Sequence, residues 1–346
     1  MYKWFAVKRI FKGIVMYALL IFIFSILFNS VNETTQKAQI EEQVRMESQR
    51  LKGTKAADIQ RFQRERRESL YKLYRFDRPL WERIVLRTVN ILTFNFGKST
   101  IMKSQTGERD VLTIIGEAIP RTLLLFLVAA VFEIGIGIVV GLKKAQHPGG
   151  HMDRTTSMIT MILYGMPTWW VAMLFIMLFV YQLKWFPSGG LHTVPPPTGA
   201  AYGWDMVYHM ILPLFTLIII GFWGVSYMIR NLVLGTMQED FIMAARARGI
   251  PENRVLFGHT LRTAAPPIVT MALLSLLGAI SGAIIFEGIF SWPGLGNLYW
   301  VAVQQNDIPV LMADLSISTG LYQAGLVILD LIYGFLDPRV KVGGKA

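Results

Sequence analysis

The chain has 346 residues, 53% of them hydrophobic, a formal charge of +11 and no cysteine. Soluble domains are about 45–50% apolar on a similar count, and the excess here is gathered into runs long enough to cross a bilayer, so the sequence reads as an integral membrane protein. The missing cysteines exclude disulfides, Cys-ligated zinc, iron–sulfur clusters and thiol catalysis, and the basic charge follows membrane topology rather than a nucleic-acid footprint.

Six spans are expected. The first is Ile10–Phe28, after a basic start. Ser25-Ile26-Leu27-Phe28-Asn29-Ser30 offers no small-x-small cleavage site, so an uncleaved anchor is expected rather than a signal peptide. Residues 31–118 then hold 17 Lys/Arg and 12 Asp/Glu. Within them, residues 33–70 are polar nearly all round. Glu33/Lys37, Glu41/Arg45, Arg61/Glu65 and Arg64/Glu68 stand four apart, which predicts an exposed, charge-laced helix. It is either a solvated spacer or a docking surface for a partner protein. Gly97-Lys98-Ser99-Thr100 looks like the end of a phosphate-binding loop, but Leu92 stands where that loop needs glycine, and no other ATP motif appears.

The second span is Ile119–Leu142, with Arg121 near one end and Glu133 inside. The third, Met158–Leu183, is broken by Gly165 and Pro167; the fourth is Ile211–Ile229. The fifth is Ile268–Phe286, and the sixth, Leu315–Leu336, contains Asp330. Six spans put both termini on one side. That side collects fifteen basic residues, against Lys184 alone in the two short loops opposite. The positive-inside rule makes it cytoplasmic, and residues 31–118 become extracytoplasmic, being long enough to translocate regardless of charge. The expected organisation is 1–30 (terminus and first span), 31–118 (outer segment), 119–339 (transmembrane core with a cytoplasmic loop at 230–266) and 340–346 (cytoplasmic tail).

Glu133 and Asp330 are expected either to line a pore or to pair structurally, since an intramembrane carboxylate needs a cavity or a polar partner. Glu287 and Asp314 are expected near the outer surface, solvated. Gly278 and Gly282 frame a small-xxx-small surface that lets helices approach closely. No histidine pair has a metal-ligand spacing with a carboxylate, and no nucleophile–base constellation marks an enzyme active site.

The most informative stretch is Phe241-Ile242-Met243-Ala244-Ala245-Arg246-Ala247-Arg248-Gly249, followed by His259-Thr260-Leu261-Arg262 and Pro266-Pro267. It reads as a short helix, a turn and a second helix re-entering the membrane. Ala244 and Ala245 permit close approach to a partner, Gly249 gives a sharp exit, and Arg246 and Arg248 are placed to pair with partner carboxylates. On spacing alone, an ordinary loop made basic by topology is an equal reading.

This stretch resembles the EAA loop of ABC-importer permeases, the segment that docks into the ATPase subunit. From Asp77-Arg78-Pro79-Leu80-Trp81 onward the chain resembles the dipeptide/oligopeptide/nickel permease family. The matching pieces come in family order: Pro120 and Thr122, Asp153-Arg154, Pro167 and Trp169, Trp185-Phe186-Pro187-Ser188-Gly189-Gly190, His209, Leu212-Pro213, the loop, Phe290-Ser291-Trp292-Pro293-Gly294-Leu295-Gly296, and Leu336-Asp337-Pro338-Arg339. They cover about three-quarters of the chain. Met243 stands at the Glu of the general motif, Thr263 replaces a usual Asn, and residues 31–75 are longer than the family pattern.

The resemblance implies an all-α polytopic protein with six transmembrane helices, the type I ABC importer permease fold and a cytoplasmic EAA coupling loop, in a prokaryotic inner membrane. Phe241, Ala244, Ala245, Arg246, Arg248, Gly249, His259 and Arg262 would couple to the ATPase. Gly278, Gly282, Glu133 and Asp330 would serve packing or the pore, Gly278 and Gly282 either within the subunit or against a second permease. The implied partners are a second homologous permease, two ATPase subunits and an extracytoplasmic solute-binding protein, besides membrane lipid. ATP and Mg would sit on the ATPases, with no cofactor or metal on this chain. Peptides are the first expectation for cargo, then oligosaccharides, then nickel. Two other classes compete. A secondary transporter coupling through Glu133 and Asp330 should show repeat symmetry, which is not visible. A membrane-anchored scaffold would need neither six spans nor the loop.

Overall fold

The computed structural model describes residues 2–49, 56–280 and 282–336, almost all of them helix, turn or loop. In order the helices are α1 (Tyr2–Leu27), α2 (Asn29–Gln49), α3 (Ala56–Leu73), α4 (Leu80–Leu92), α5 (Val111–Gln146), α6 (His151–Tyr164), α7 (Thr168–Phe175), α8 (Ala200–Met237), α9 (Asp240–Ala247), α10 (Glu252–Arg254), α11 (Leu261–Ile280), α12 (Ile284–Ile289), α13 (Leu295–Gln304) and α14 (Ile308–Leu336). Wide π-helical turns at Ile176–Gln182 and Val255–Thr260 extend α7 and lead into α11. The expected tail 340–346, the end of the Leu336–Arg339 motif and Ser281 lie outside the described residues. The chain forms two compact units, 1–116 with 301–346, and 117–300.

In the first unit α1 packs along α14 and α4. Two glycines let the backbones close. Gly13 leaves no room for a Cβ beside Val327, and Gly320 lies under the Tyr17 ring. Tyr17 and Ser316 share a 2.8 Å hydrogen bond, and Arg9 meets Asp330 at 3.1 Å. Asp330 is therefore paired within its own unit.

The charged stretch at residues 33–70, expected as an exposed, charge-laced helix, is not one polar helix. α2 and α3 form an antiparallel hairpin that buries Ile40, Val44 and Leu70 between them. Of the four expected i,i+4 pairs, Arg61–Glu65 forms, at 2.9 Å. Glu41 instead takes a two-pronged bond from Arg67 (2.6 and 2.7 Å), and Arg66 grips Glu47 likewise (2.7 and 3.0 Å). Bidentate forks across the hairpin outcompete single exposed pairs along one helix, and the three apolar side chains supply the burial that a purely polar helix lacks.

In the second unit α8 is the central column, in contact with α6, α7, α9 and α11. α5 reaches it through glycines: a Cβ at Gly141 would lie 2.7 Å from Ser226 O, and one at Gly137 would overlap Val225. Within this unit a small-residue packing face thus lies on α5. Gly278 has open space around it, and Gly282 lies beyond the end of α11 with φ +64, so the two do not share a helix face. The expected fifth span Ile268–Phe286 is corrected in the same way. Its helix ends at Ile280 and the chain turns into α12, with Phe286 buried in an aromatic core. The expected third span is a bent pair, α6 and α7 meeting at 100°. Pro167 at the start of α7 disfavours helical backbone at the residue before it. Among the described residues, five helices are long and apolar enough to cross a membrane, or six if the bent pair is one crossing.

Candidate functional site

The loop after α8 builds a small body of its own. Ile242, Ala245 and Val255 form a buried cluster, with Ile250 packed on it. The helix stops because Arg248 caps α9 and Gly249 follows with φ +71, a left-handed conformation that glycine adopts without steric cost. Gly249 N–H donates to Arg246 O at 2.9 Å and Ile250 N–H to Ala245 O at 3.3 Å. This geometry divides the two alanines. Ala244 is exposed, whereas Ala245 faces the loop's own core, so one small side chain, not two, is presented outward.

Phe241, Met243 and Phe257 are also exposed, as are Arg248, Gly249, His259 and Arg262. They give a surface of apolar side chains among basic ones. Arg246, expected to reach for a partner's carboxylate, holds Glu252 across the turn at 2.6 and 3.2 Å. That pair raises the guanidinium's affinity for its proton and ties α9 to α10. Arg248 has no ion pair among the described residues.

Above the loop, α6, α8 and α11 enclose an open, mainly apolar groove of about 1390 Å³, lined among others by Met161, Tyr164, Met228, Pro267, Met271 and Leu274. Its walls are pinned by an ion pair between residues 77 apart in sequence. Arg230 on α8 donates two bonds to Asp153 on α6, at 2.8 and 2.6 Å, and Gly149 N–H donates a third at 2.9 Å. Lys144, fully buried, lies over the Tyr227 ring. The available signal was a carboxylate, Asp153, in a loop of otherwise basic residues. Glu133 rests its carboxylate against Gly221 of α8.

The Phe290–Gly296 motif closes around Glu287, which is fully buried rather than solvated; Asp314 is buried as well. Thr122 donates to Glu287 Oε1 at 2.9 Å and accepts from Leu295 N–H at 2.7 Å. Asn297 N–H donates to Oε2 at 3.1 Å. Trp292 Nε1 donates to Arg121 O at 3.0 Å, and Gly190 N–H to Phe290 O at 2.8 Å. The chain doubles back here to satisfy one carboxylate, which a span drawn through Phe286 could not show. Burial pushes Glu287 up to about 7, against the pull of its hydrogen bonds. His192 and His209 flank Asp205 at 3.4 and 3.6 Å; His209 stands one helical turn after Asp205, whereas His192 comes from the preceding loop.

Helices of membrane-spanning length, a groove between them and an exposed apolar–basic loop define a multi-pass transport component. Residues 133–342 match the family described as binding-protein-dependent transport system inner membrane component, and the chain belongs to that family. It is 34% identical over 275 residues to the oligopeptide transport system permease protein AppB of Bacillus subtilis (strain 168), covering 80% of this chain and 85% of that one. It is 32% identical over 298 residues to the dipeptide transport system permease protein DppB of Escherichia coli (strain K12), covering 80% and 86%. It is 30% identical over 289 residues to the di/tripeptide transport system permease protein DppB of Pseudomonas aeruginosa (strain UCBPP-PA14), covering 79% and 84%.

Proposed function

We propose that this chain is the permease subunit of an ATP-driven peptide importer and forms half of its translocation pathway. The cargo reading rests on the relatives, which are named as dipeptide, di/tripeptide and oligopeptide permeases. A second homologous permease would complete the pathway across the open groove of α6, α8 and α11. Two ATPase subunits would carry ATP and Mg, and an extracytoplasmic solute-binding protein would deliver the peptide. Both termini and residues 230–266 would face the cytoplasm.

The observation that supports the coupling reading is the α9 body: a small buried core with Phe241, Ala244, Arg248 and Gly249 exposed. A helix that seats in a cleft needs a packed back and a small contact residue; α9 has Ile242 and Ala245 buried behind it and Ala244 exposed. Closure of the ATPases would then move α9, and through α8 and α11 rock the groove between its two openings. Purification in mild detergent tests the assembly. ATPase subunits should accompany the wild-type chain and be lost with Ala244→Trp. Their retention at wild-type stoichiometry would show that α9 is not the seat.

A further inference from the structure

A single segment from 31 to 118 outside the membrane would leave α4 in water, yet α4 packs along α1, a helix of membrane-spanning length. The path of the chain can be followed by its contacts within the first unit. Arg83 meets Glu33 at 2.9 Å, and Arg87 donates to Asn29 Oδ1 at 3.0 Å. A step of four along α4 thus matches a step of four back along α2 toward α1, so α4 descends antiparallel to the chain it leans on. Beyond its end, Phe94 shares an apolar groove with Ile14 and Tyr17 of α1 and Ile317 and Leu321 of α14. Tyr17 lies ten residues inside the end of α1 at Leu27. That is about 15 Å at 1.5 Å per residue, or half of a hydrocarbon core about 30 Å thick. The chain then returns. Ser99 Oγ donates to Asp307 Oδ2 at 2.5 Å, and Ile101 N–H to the same oxygen at 3.2 Å. Asp307 immediately precedes α14.

The turn at the bottom is built for apolar surroundings. Phe94 has φ +58, its N–H donates to Ile91 O at 3.0 Å, and Asn95 N–H donates to Asn90 O at 2.8 Å. This is the helix-ending cap that glycine usually completes. A phenylalanine accepts the left-handed backbone less readily, so its ring has a use there. The side chains of α4 sort accordingly. Trp81, Val85 and Val89 recur every four residues and are exposed, and the exposed Phe94 follows them. Ile84, Thr88 and Ile91 are buried in the unit. Asn90 and Asn95 line a polar cleft with Arg83 and Arg87. Non-helical backbone at membrane depth is tolerated where it borders protein or a polar cavity, and this cleft gives the turn such a border.

We propose that residues 80–99 form a re-entrant element. α4 dips into the leaflet at the α2 end of α1, turns at Phe94 and leaves by the same face at Ser99. The partner of its Val85, Val89 and Phe94 side chains is the acyl region of the lipid, continuous with the lipid-facing surface of α1 and α14. Trp81, at the head of the stripe, sits at the interface, where tryptophan is favoured. The element anchors the root of the α2–α3 hairpin in the bilayer. It rests on α1 and α14 crossing the membrane and is independent of cargo and coupling.

The test uses the full-length chain, which has no cysteine. Single cysteines replace Val85, Val89, Phe94 or the exposed Arg45 of the hairpin. Each is labelled with nitrobenzoxadiazole and reconstituted in dioleoyl phosphatidylcholine vesicles. Val89→Cys and Phe94→Cys should be quenched at least threefold more than Arg45→Cys by phospholipid carrying a nitroxide on its acyl chain. Aqueous iodide should quench them at least threefold less. The order of depths tests the descent. A nitroxide high on the acyl chain should quench Val85→Cys more than Phe94→Cys, and one near the chain end should do the reverse, a gradient that misfolding does not mimic. Iodide access at 89 and 94 equal to that at 45, or one depth for 85 and 94, would overturn the proposal. Shielding from iodide without quenching by the nitroxide lipids would assign this face to protein and overturn it as well.

Discussion

Gly294→Ala is expected to unhinge the buried carboxylate without touching any membrane-facing surface. A Cβ at position 294 would lie 2.5 Å from Glu287 Oε2 and closer still to Thr122 Oγ1. Neither atom can give way freely. Thr122 Oγ1 is held between Glu287 and Leu295 N–H at 2.9 and 2.7 Å, and Glu287 is fully buried. Moving the hydroxyl aside breaks two hydrogen bonds worth about 1 kcal/mol each and strips a partner from a buried carboxylate, for a total of about 3 kcal/mol. For a unit of this size, about 2–4 °C is lost per kcal/mol, so the unfolding midpoint should drop by about 9 °C. Trp292, fully buried in the same knot, reports the event through its fluorescence. Gly203→Ala is the control. It sits in α8 with no atom within 4 Å of the added methyl, and should leave the midpoint unchanged or slightly raised. If Gly294→Ala melts within 1 °C of wild type in mild detergent, the knot does not hold this region together.

Glu287 should also make stability depend on pH. Its carboxyl is pushed up from 4.5 to about 7, so the fold favours the protonated form. The contribution is complete below about pH 4.5 and is lost as the pH rises through 7. The thermal midpoint should fall across that window in wild type and fall less steeply in Glu287→Gln; parallel curves would disprove the assignment. Arg246→Ala should cost no more than about 1 kcal/mol, because its pair with Glu252 is largely exposed; a loss of several kcal/mol in the same melting assay would contradict this. Leu70→Asp should open the α2–α3 hairpin by placing a charge among Ile40, Val44 and Tyr71, seen as new protease cleavage between residues 40 and 70. Undiminished protease resistance would count against a hairpin core. The proposed topology places residues 31–118 outside, so a cysteine at the exposed Arg45 should label in intact cells; labelling only after permeabilisation would reverse the topology.

Periodicity carried much of the fold, because apolar runs of bilayer length announce themselves wherever they fall. It failed where the chain bends. Pro167 and Gly165 were visible as breakers, but not the 100° they produce. Past Ile280 the run of apolar residues continues in sequence while the backbone turns to wrap Glu287. The hairpin escapes a sequence reading because i,i+4 charges predict local pairs, and nothing local indicates that Arg66 and Arg67 have better acceptors on α2. Within the loop, Ala244 and Ala245 are chemically identical in sequence. Only the register of α9 against Val255 shows that one is core and the other surface. Glycine packing was equally positional: Gly137 and Gly141 admit α8, while among the described residues no atom lies within 4 Å of a Cβ added at Gly278.

The central claim is that this chain turns ATP hydrolysis elsewhere into peptide movement through the α9 loop. It is tested most directly by reconstituting the complete transporter in proteoliposomes and measuring uptake of a labelled tripeptide together with ATP hydrolysis. Wild type should take up peptide only with ATP and loaded binding protein, and Ala244→Trp should abolish both uptake and the binding-protein stimulation of hydrolysis while the chain remains folded in the membrane. Peptide uptake without ATP, or wild-type uptake and stimulation in Ala244→Trp, would contradict it.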